Sequence, residues 1–215
     1  MISLFILSML CVHFSTFFPR EGDLLFQDID CGALCDAIEE VTTGIHGAKL
    51  SHIGLVVSYD GKLCVLEAVS EGVVCTSVED FLNRSKDKEG RPKVMVGRLK
   101  KQYQFLIPAA VTYATQYLGE VYDTVYSMSN EAWYCSELIY QSFRAAAHEE
   151  FFELTPMTFK SPESDSIFSA WQEYYDKMGM MVPEGEPGIN PGSISRSDKI
   201  EIVNIYGIPE DYTPE

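Results

Sequence analysis

Residues 51–69 read Ser-His-Ile-Gly-Leu-Val-Val-Ser-Tyr-Asp-Gly-Lys-Leu-Cys-Val-Leu-Glu-Ala-Val, and this stretch carries most of the information about the fold. Two runs rich in β-branched and aromatic residues flank the dipeptide Asp60-Gly61. Asp-Gly between two apolar runs is a strong hairpin signal, because the two-residue turn needs backbone conformations with positive φ. The sequence therefore predicts two antiparallel strands, 51–59 and 62–69.

The register of this hairpin brings a histidine and a glutamate together. A two-residue turn makes Tyr59 face Lys62, which places Glu67 opposite Gly54. His52 projects from the same face as Gly54, so His52 and Glu67 are diagonal neighbours whose Cβ atoms lie roughly 7 Å apart. Gly54 has no side chain to separate them. An imidazole bonded to a carboxylate is oriented, and its cationic form is stabilised.

The rest of the chain alternates between strand and helix patterns. Further strands are predicted at 22–27, 73–78, 94–99 and 199–206. Helices are predicted at 31–41, 77–82, 108–117, 135–147 and 167–178, and a Pro/Gly-rich loop at 183–193. No linker divides the chain, so residues 19–215 form a single α+β domain with an antiparallel sheet packed against helices.

Cys135 opens the helix predicted at 135–147 and is the candidate nucleophile. A thiol at the positive end of a helix dipole and close to an imidazolium ionises more readily than a free thiol. The backbone N–H groups of Cys135 and Ser136 are unpaired at that terminus and can stabilise an oxyanion. Cys135, His52 and Glu67 together make a workable acyl-transfer site.

Each of these residues also has a purely structural interpretation. Cys135 alone reads as a small buried apolar residue, His52 as a strand histidine with its hydrogen bonds satisfied, and Glu67 as a solvent-facing strand residue. Glu137 is a second candidate for the carboxylate. Three residues into a helix, however, a glutamate more naturally caps or supports that terminus.

Composition excludes several classes of protein. The chain has 215 residues, of which 46% are hydrophobic, and a formal net charge of -16. Such a surface repels phosphate backbones and anionic lipid headgroups, so nucleic acid is not an expected partner. Only the first segment approaches the length of a membrane span, which excludes a polytopic membrane protein.

Residues 1–18 are predicted to be a signal peptide or a short membrane anchor. Residues 2–18 contain no Lys, Arg, Asp or Glu, and the run stops at Pro19. We therefore expect the protein to be exported to the periplasm or beyond the cell, with membrane contact only through this segment. The alternative is a buried first helix of a cytosolic protein.

The cysteines support a free reactive thiol. Five follow the apolar N-terminal segment: Cys31, Cys35, Cys64, Cys75 and Cys135. An odd number in an exported protein leaves one unpaired, and Cys135 is our candidate. Cys64 and Cys75 flank a second turn, so a cross-strand disulfide between them is a hypothesis that depends on the register there. Neither Cys-x-x-Cys pairs nor Cys-His ligand spacings occur, and no metal or other cofactor is expected.

Four ordered motifs carry a resemblance to a known family. They are Gly22-Asp23-Leu24-Leu25-Phe26, Ser51-His52-Ile53-Gly54-Leu55-Val56, Leu66-Glu67-Ala68 and Tyr134-Cys135-Ser136-Glu137-Leu138. In this order they resemble the permuted papain-like amidases, the YiiX/YaeF-type branch of the NlpC-like cysteine peptidase superfamily. The resemblance covers roughly residues 22–145. In the permuted branch, as here, the His strand precedes the Cys helix.

The resemblance implies a circularly permuted papain-like fold and a role for each matched residue. It implies Cys135 as nucleophile, His52 as general base and Glu67 as its orienting partner. It also places Tyr122 and Tyr134 at the substrate cleft, although Tyr122 reads equally well as a core aromatic. Residues from about 149 to 215 resemble the branch's C-terminal extension.

The function predicted from these observations is that of a thiol-dependent amidase or peptidase. It hydrolyses an amide bond in a peptide or a cell-wall-derived fragment through a Cys-His-Glu triad and an acyl-enzyme. Two alternatives stay open. A lipid-directed thiol acyltransferase or esterase would use the same three residues, and a non-catalytic binding module would carry a vestigial site.

Overall fold

The structure is a computed structural model that describes residues 17–214. Its helices are α1 Ala33–Val41, α2 Val78–Asn83, α3 Ile107–Thr115, α4 Cys135–Ala147, α5 Ser169–Met178 and α6 Pro191–Ser195. Its strands are β1 Leu24–Gln27, β2 His52–Tyr59, β3 Lys62–Val69, β4 Gly72–Ser77, β5 Val94–Leu99, β6 Thr155–Pro156, β7 Pro187–Gly188 and β8 Ile200–Ile205. Short 3₁₀ turns cover Ile45–Gly47 and Lys101–Leu106.

Within these residues, six strands form one antiparallel sheet in the order β4-β3-β2-β1-β5-β8. The predicted hairpin is at its centre: Tyr59 pairs with Lys62 and Leu55 with Leu66, in the register that a two-residue Asp60-Gly61 turn requires. The α+β class and the antiparallel sheet packed against helices are thus confirmed.

The alternation of side chains along β2 and β3 builds two apolar layers. Ile53 and Leu55 face the larger core, where the apolar side of α4 packs with Leu138 and Ile139. The opposite face of the sheet, which carries Val56, holds a smaller core beneath α2. The sheet is therefore buried on both sides at the hairpin, which is why its central strands are almost continuously apolar.

The segment after α4 contains α5, the β6–β7 pair and α6 before it ends in the edge strand β8. Helix α5 packs on α1 through an aromatic cluster that includes Trp171 and Tyr175, and the short β6–β7 pair lies beside it. The expectation of an irregular loop at 183–193 was partly wrong, because β7 and the start of α6 fall inside it. The Asn190 side chain accepts from the Ser193 backbone N–H, and the Ser193 side chain completes a capping box around this short helix.

Helix starts differ from the sequence prediction by two residues at α1 and α5. Residue 31, where α1 was predicted to begin, precedes the helix, and a disulfide joins Cys31 to Cys35 inside it. Gly32, at φ 85°, is the residue before the helix, a conformation that glycine adopts without strain.

Cys64 and Cys75 lie on neighbouring strands and on the same face of the sheet, since Cys64 pairs with Ser77 and Leu66 pairs with Cys75. Their sulfurs are 2.6 Å apart, yet both residues are free thiols. The hypothesis placed the two cysteines together correctly, but the covalent bond is not formed in this structure.

Most of the predicted signal peptide or anchor, residues 1–16, lies outside the described residues. In the part of the chain from 17 to 214, no helix combines the length and apolarity needed to cross a bilayer.

Candidate active site

Cys135 is the first residue of α4, with Tyr134 as the N-cap. The Cys135 side chain is almost buried, at 8% exposure. Among residues 17–214, neither the Cys135 nor the Ser136 backbone N–H finds an acceptor. Both N–H groups are therefore available beside the sulfur, where the expected oxyanion would form.

His52 and Glu67 meet as the hairpin register requires. The His52 Nε2 lies 2.5 Å from a Glu67 carboxylate oxygen, and both side chains are buried. Gly54 allows this approach, because a Cβ there would lie 2.3 Å from Val65 Cγ1 and 3.4 Å from Glu67 Cβ. The second ring nitrogen of His52 is left for the Cys135 thiol, with which the histidine side chain also hydrogen-bonds.

Glu67 is held in place by two residues that sequence reasoning missed. Arg84 donates to both carboxylate oxygens, at 2.6 and 2.9 Å, and the Thr76 hydroxyl donates at 2.5 Å. Burial alone would raise the pKa of Glu67, but the hydrogen bonds from Arg84 and His52 outweigh it and lower the pKa to about 2. The carboxylate is therefore ionised at every pH at which the protein would work.

The environment of His52 favours its cationic form. Burial would lower the pKa of the imidazole, but its hydrogen bonds with Cys135 and Glu67 overcome this effect and raise the pKa to about 9. The Phe81 ring packs against His52 at 5.9 Å and carries the Arg84 guanidinium 5.2 Å from its centroid. At neutral pH His52 is therefore an imidazolium that lies beside the Cys135 side chain.

A cavity of about 220 Å³ opens beside Cys135. It is lined by segments from α1, the 122–126 loop, the start of α4 and the region 155–196. Both sequence-predicted cleft residues, Tyr122 and Tyr134, are in its wall together with Ser136. His52 and Glu67 are not among the residues that line it; both are buried beside the cavity.

Asp123 holds the loop that carries two tyrosines of the cavity lining, Tyr122 and Tyr126. This buried carboxylate accepts from the backbone N–H groups of Val125 and Ser127, at 2.8 and 2.6 Å, which shapes the loop that presents Tyr122 and Tyr126. Burial raises the pKa of both tyrosine hydroxyls well above the ordinary value. They are neutral hydrogen-bonding groups rather than phenolates.

Glu137 supports the helix terminus and does not contact His52. Its carboxylate accepts from the Tyr134 backbone N–H, the contact expected of a glutamate at the third helical position. Burial, reinforced by the nearby Asp123, raises the pKa of Glu137 to about 8. Glu67, not Glu137, is the carboxylate that the structure places on the imidazole.

The side chains around Cys135 do not form a metal-binding set. Among residues 17–214, no three His, Cys, Asp or Glu side chains converge in a way that could hold an ion. Two carboxylates near Cys135 are already engaged: Glu67 by Arg84 and Thr76, and Asp123 by backbone N–H groups.

Comparison with known families shows which family the chain belongs to. The sequence model of the family described as "Permuted papain-like amidase enzyme, YaeF/YiiX, C92 family" matches residues 19–204. The chain belongs to the permuted papain-like amidases. This membership confirms the resemblance inferred from the ordered motifs and supports the class of cysteine amidases or peptidases.

Two relatives from this family of permuted papain-like amidases extend the comparison. The "Uncharacterized protein YiiX" of Escherichia coli (strain K12) is 27% identical over 186 residues, which are 86% of this chain and 86% of the relative. A crystal structure described as metalloprotein yiiX from Escherichia coli O157:H7 superposes with a TM-score of 0.69 at 24% identity, covering 88% of this chain and 98% of the other. At that identity the structural likeness concerns the fold alone.

Proposed function

We propose that this protein is a thiol amidase that hydrolyses an amide bond in a peptide or a cell-wall-derived fragment. Cys135 is the nucleophile, His52 the acid and base, and Glu67 the residue that orients the imidazole. Export through residues 1–18, proposed from their uncharged run, would place the enzyme where such fragments occur.

The reaction follows from the groups beside the sulfur. The Cys135 thiolate attacks the amide carbonyl, and the N–H groups of Cys135 and Ser136 stabilise the oxyanion. His52, as imidazolium, protonates the leaving amine when the C–N bond breaks. Neutral His52 then takes a proton from water, which attacks the thioester, releases the acid and regenerates the ion pair.

One observation carries this proposal: a single buried imidazole contacts both the Cys135 sulfur and a carboxylate that is fixed by three further hydrogen bonds. A structural histidine needs no such anchoring of its partner. Tyrosine, serine and asparagine groups in the cavity wall suit the polar backbone of a peptide.

Replacement of the nucleophile tests the proposal. Cys135→Ala is expected to leave the fold intact and lower amide hydrolysis by about 10⁴-fold or more. Cys75→Ala removes a thiol away from the cavity and is the matched control, with activity retained. The measurement is amine release from a panel of murein peptides, together with iodoacetamide labelling of the thiol at neutral pH. Hydrolysis that survives Cys135→Ala would refute the thiol mechanism.

The apolar part of the cavity favours one second candidate, a lipid-directed thiol acyltransferase or esterase with the same three residues. The residues that line the cavity include the apolar side chains of Ile38, Met157, Phe159 and Trp171. Lipid esters in the same panel separate the two, since ester cleavage without amide cleavage would select the lipid reaction. An inert Cys135 thiol would select the third possibility, a binding module.

A further inference from the structure

Arg196 is distinctive among the residues that line the cavity at Cys135. Its other lining residues from the described chain are uncharged: aromatic and aliphatic side chains, hydroxyls, an amide and the nucleophile. Arg196 is exposed, and its guanidinium makes no hydrogen bond or ion pair with any residue in 17–214. Its five N–H donors are therefore free to bind a ligand.

The backbone that carries Arg196 is fixed relative to the nucleophile. The Arg196 N–H donates to the carbonyls of Gly192 and Ser193, so the residue ends α6 in a defined position. At the other end of this segment, the Ser136 hydroxyl donates to the Ile189 carbonyl at 2.8 Å. One residue of the nucleophile's own helical turn is thus bonded to the segment that leads to Arg196.

The α6 segment is also closely seated against the other cavity wall. A Cβ at Gly192 would lie 2.0 Å from the Thr42 carbonyl oxygen, so the two backbones touch. The Ser195 hydroxyl accepts from the Ile45 N–H at 3.0 Å. These contacts hold the main chain of α6 against residues 42–45 and fix where the Arg196 side chain begins.

A free arginine is a specific recognition group in an acidic chain. With a net charge of -16, the protein as a whole repels anions. A planar guanidinium overcomes this locally, because it binds a carboxylate through two parallel charge-assisted hydrogen bonds. The cavity lining is uncharged except for Arg196. Such a lining suits a substrate that is uncharged apart from one anionic group.

We infer that Arg196 binds a carboxylate of the substrate, so that the preferred amides carry a free carboxyl group close to the scissile bond. This inference rests on the proposed function of Cys135 and names its substrate class. Two kinds of substrate carry such a carboxyl group. In an N-acyl amino acid it belongs to the residue whose amide is cleaved, and in a peptide the free C-terminus lies one residue further from the scissile bond.

Thiol-directed probes of two lengths test this role of Arg196. N-chloroacetylglycine and N-chloroacetylglycinamide differ only in a carboxylate against a neutral carboxamide. Each alkylates Cys135 when the thiolate displaces chloride, so that an S–C bond forms and the C–Cl bond breaks. N-chloroacetylglycylglycine and its amide move the carboxylate one residue outward. Mass spectrometry of the Cys135 peptide gives the alkylation rate separately from those of other thiols.

We expect the intact protein to react faster with the acid than with the amide of at least one pair, and the preferred length identifies the kind of substrate. Arg196→Ala should lower the rate with that acid by about tenfold to a hundredfold and leave the amide rate unchanged. Arg144→Ala removes an exposed arginine from the outer side of α4 and should preserve the preference. Equal circular dichroism melting curves of the variants exclude unfolding.

Other outcomes overturn specific parts of the scheme. Rapid labelling of Cys135 with no preference for the acid, or a preference that survives Arg196→Ala, refutes the role of Arg196 and leaves the reactive thiol standing. No labelling of Cys135 by the acids, the amides or iodoacetamide refutes the proposed function and, with it, the inference.

Discussion

At the scale of single residues, the site depends on how Glu67 is held. Its side chain is fully buried, and it accepts from His52, from Thr76 and twice from Arg84. A buried carboxylate with these partners cannot rotate away, so the imidazole it bonds has a fixed plane. In the proposed mechanism Arg84 is therefore a positioning residue, separated from the sulfur by Glu67 and His52.

Glu67→Gln tests this arrangement through the titration of His52. Because the carboxylate helps to raise the His52 pKa to about 9, its removal should lower that pKa. Resonances of the His52 ring, followed by NMR against pH, report the midpoint directly. Glu79→Gln, an exposed carboxylate on α2, is the control and should leave the midpoint unchanged. An unmoved His52 midpoint in Glu67→Gln would show that the carboxylate does not set the charge of the imidazole.

The same titration affects stability, and its sign is fixed. The folded pKa of His52, about 9, lies above its ordinary value of 6.5. The contribution of His52 to the free energy of unfolding is therefore fully present below pH 6.5 and is lost as the pH rises through about 9. In Glu67→Gln, the free energy of unfolding should fall less steeply as the pH rises towards 9.

The sequence predicted part of this residue-scale picture. His52 and Glu67 could be paired from the hairpin alone, because a two-residue turn sets the register. Arg84 could not, since it reaches Glu67 from beyond a six-residue helix whose direction no local pattern determines. Arg196 likewise comes to the cavity only through tertiary packing of the C-terminal region.

At the scale of secondary-structure elements, the β2–β3 hairpin depends on Gly54. The absence of a side chain there allows close packing of the two strands that carry His52 and Glu67. A methyl group at this position would lie 2.3 Å from Val65 Cγ1, and Val65 is fully buried. We expect Gly54→Ala to lower the free energy of unfolding by about 1–3 kcal/mol through overpacking.

Chemical denaturation measures this effect, with Ser58→Ala as control. Ser58 lies on the same strand but is exposed, and its replacement should change the free energy of unfolding by less than about 0.5 kcal/mol. A Gly54→Ala protein as stable as the Ser58→Ala protein would mean that the strands separate without strain.

The elements differ in how far local sequence determines them. The central strands and α4 have strong periodicity, and their predicted bounds agree closely with the structure. Helix α6 was missed because Pro and Gly in its first turn read as loop residues. Pro is in fact favoured there, where its missing N–H has no helical partner, and the Asn190–Ser193 box stabilises the start.

At the scale of the whole molecule, the dominant feature is charge. The chain carries 32 acidic against 16 basic residues and has an isoelectric point of about 4.6. At neutral pH this excess repels itself across the surface and lowers the stability of the folded state. Salt screens such repulsion but has little effect on a buried pair such as Arg84–Glu67.

We therefore expect salt to stabilise the protein at pH 7. Raising NaCl from about 10 mM to about 150 mM shortens the Debye length from about 30 Å to about 8 Å. The melting temperature should rise by about 2–4 °C, equivalent to about 1 kcal/mol. The control is the same titration at the isoelectric point, where the net charge vanishes and the rise should disappear. An equal rise in melting temperature at both pH values would show that salt acts through general ion effects and not by screening the net charge.

The order of the candidate-site residues along the chain has a consequence for biosynthesis. A ribosome delivers the hairpin with His52 and Glu67 first, then the thiol, and last the segment with Arg196 that completes the cavity. Strand pairing over so short a loop is fast compared with translation at about 5–20 residues per second. The nascent chain can therefore pair His52 with Glu67 before Cys135 emerges, and the lining of the cavity is complete only after Arg196 has been translated.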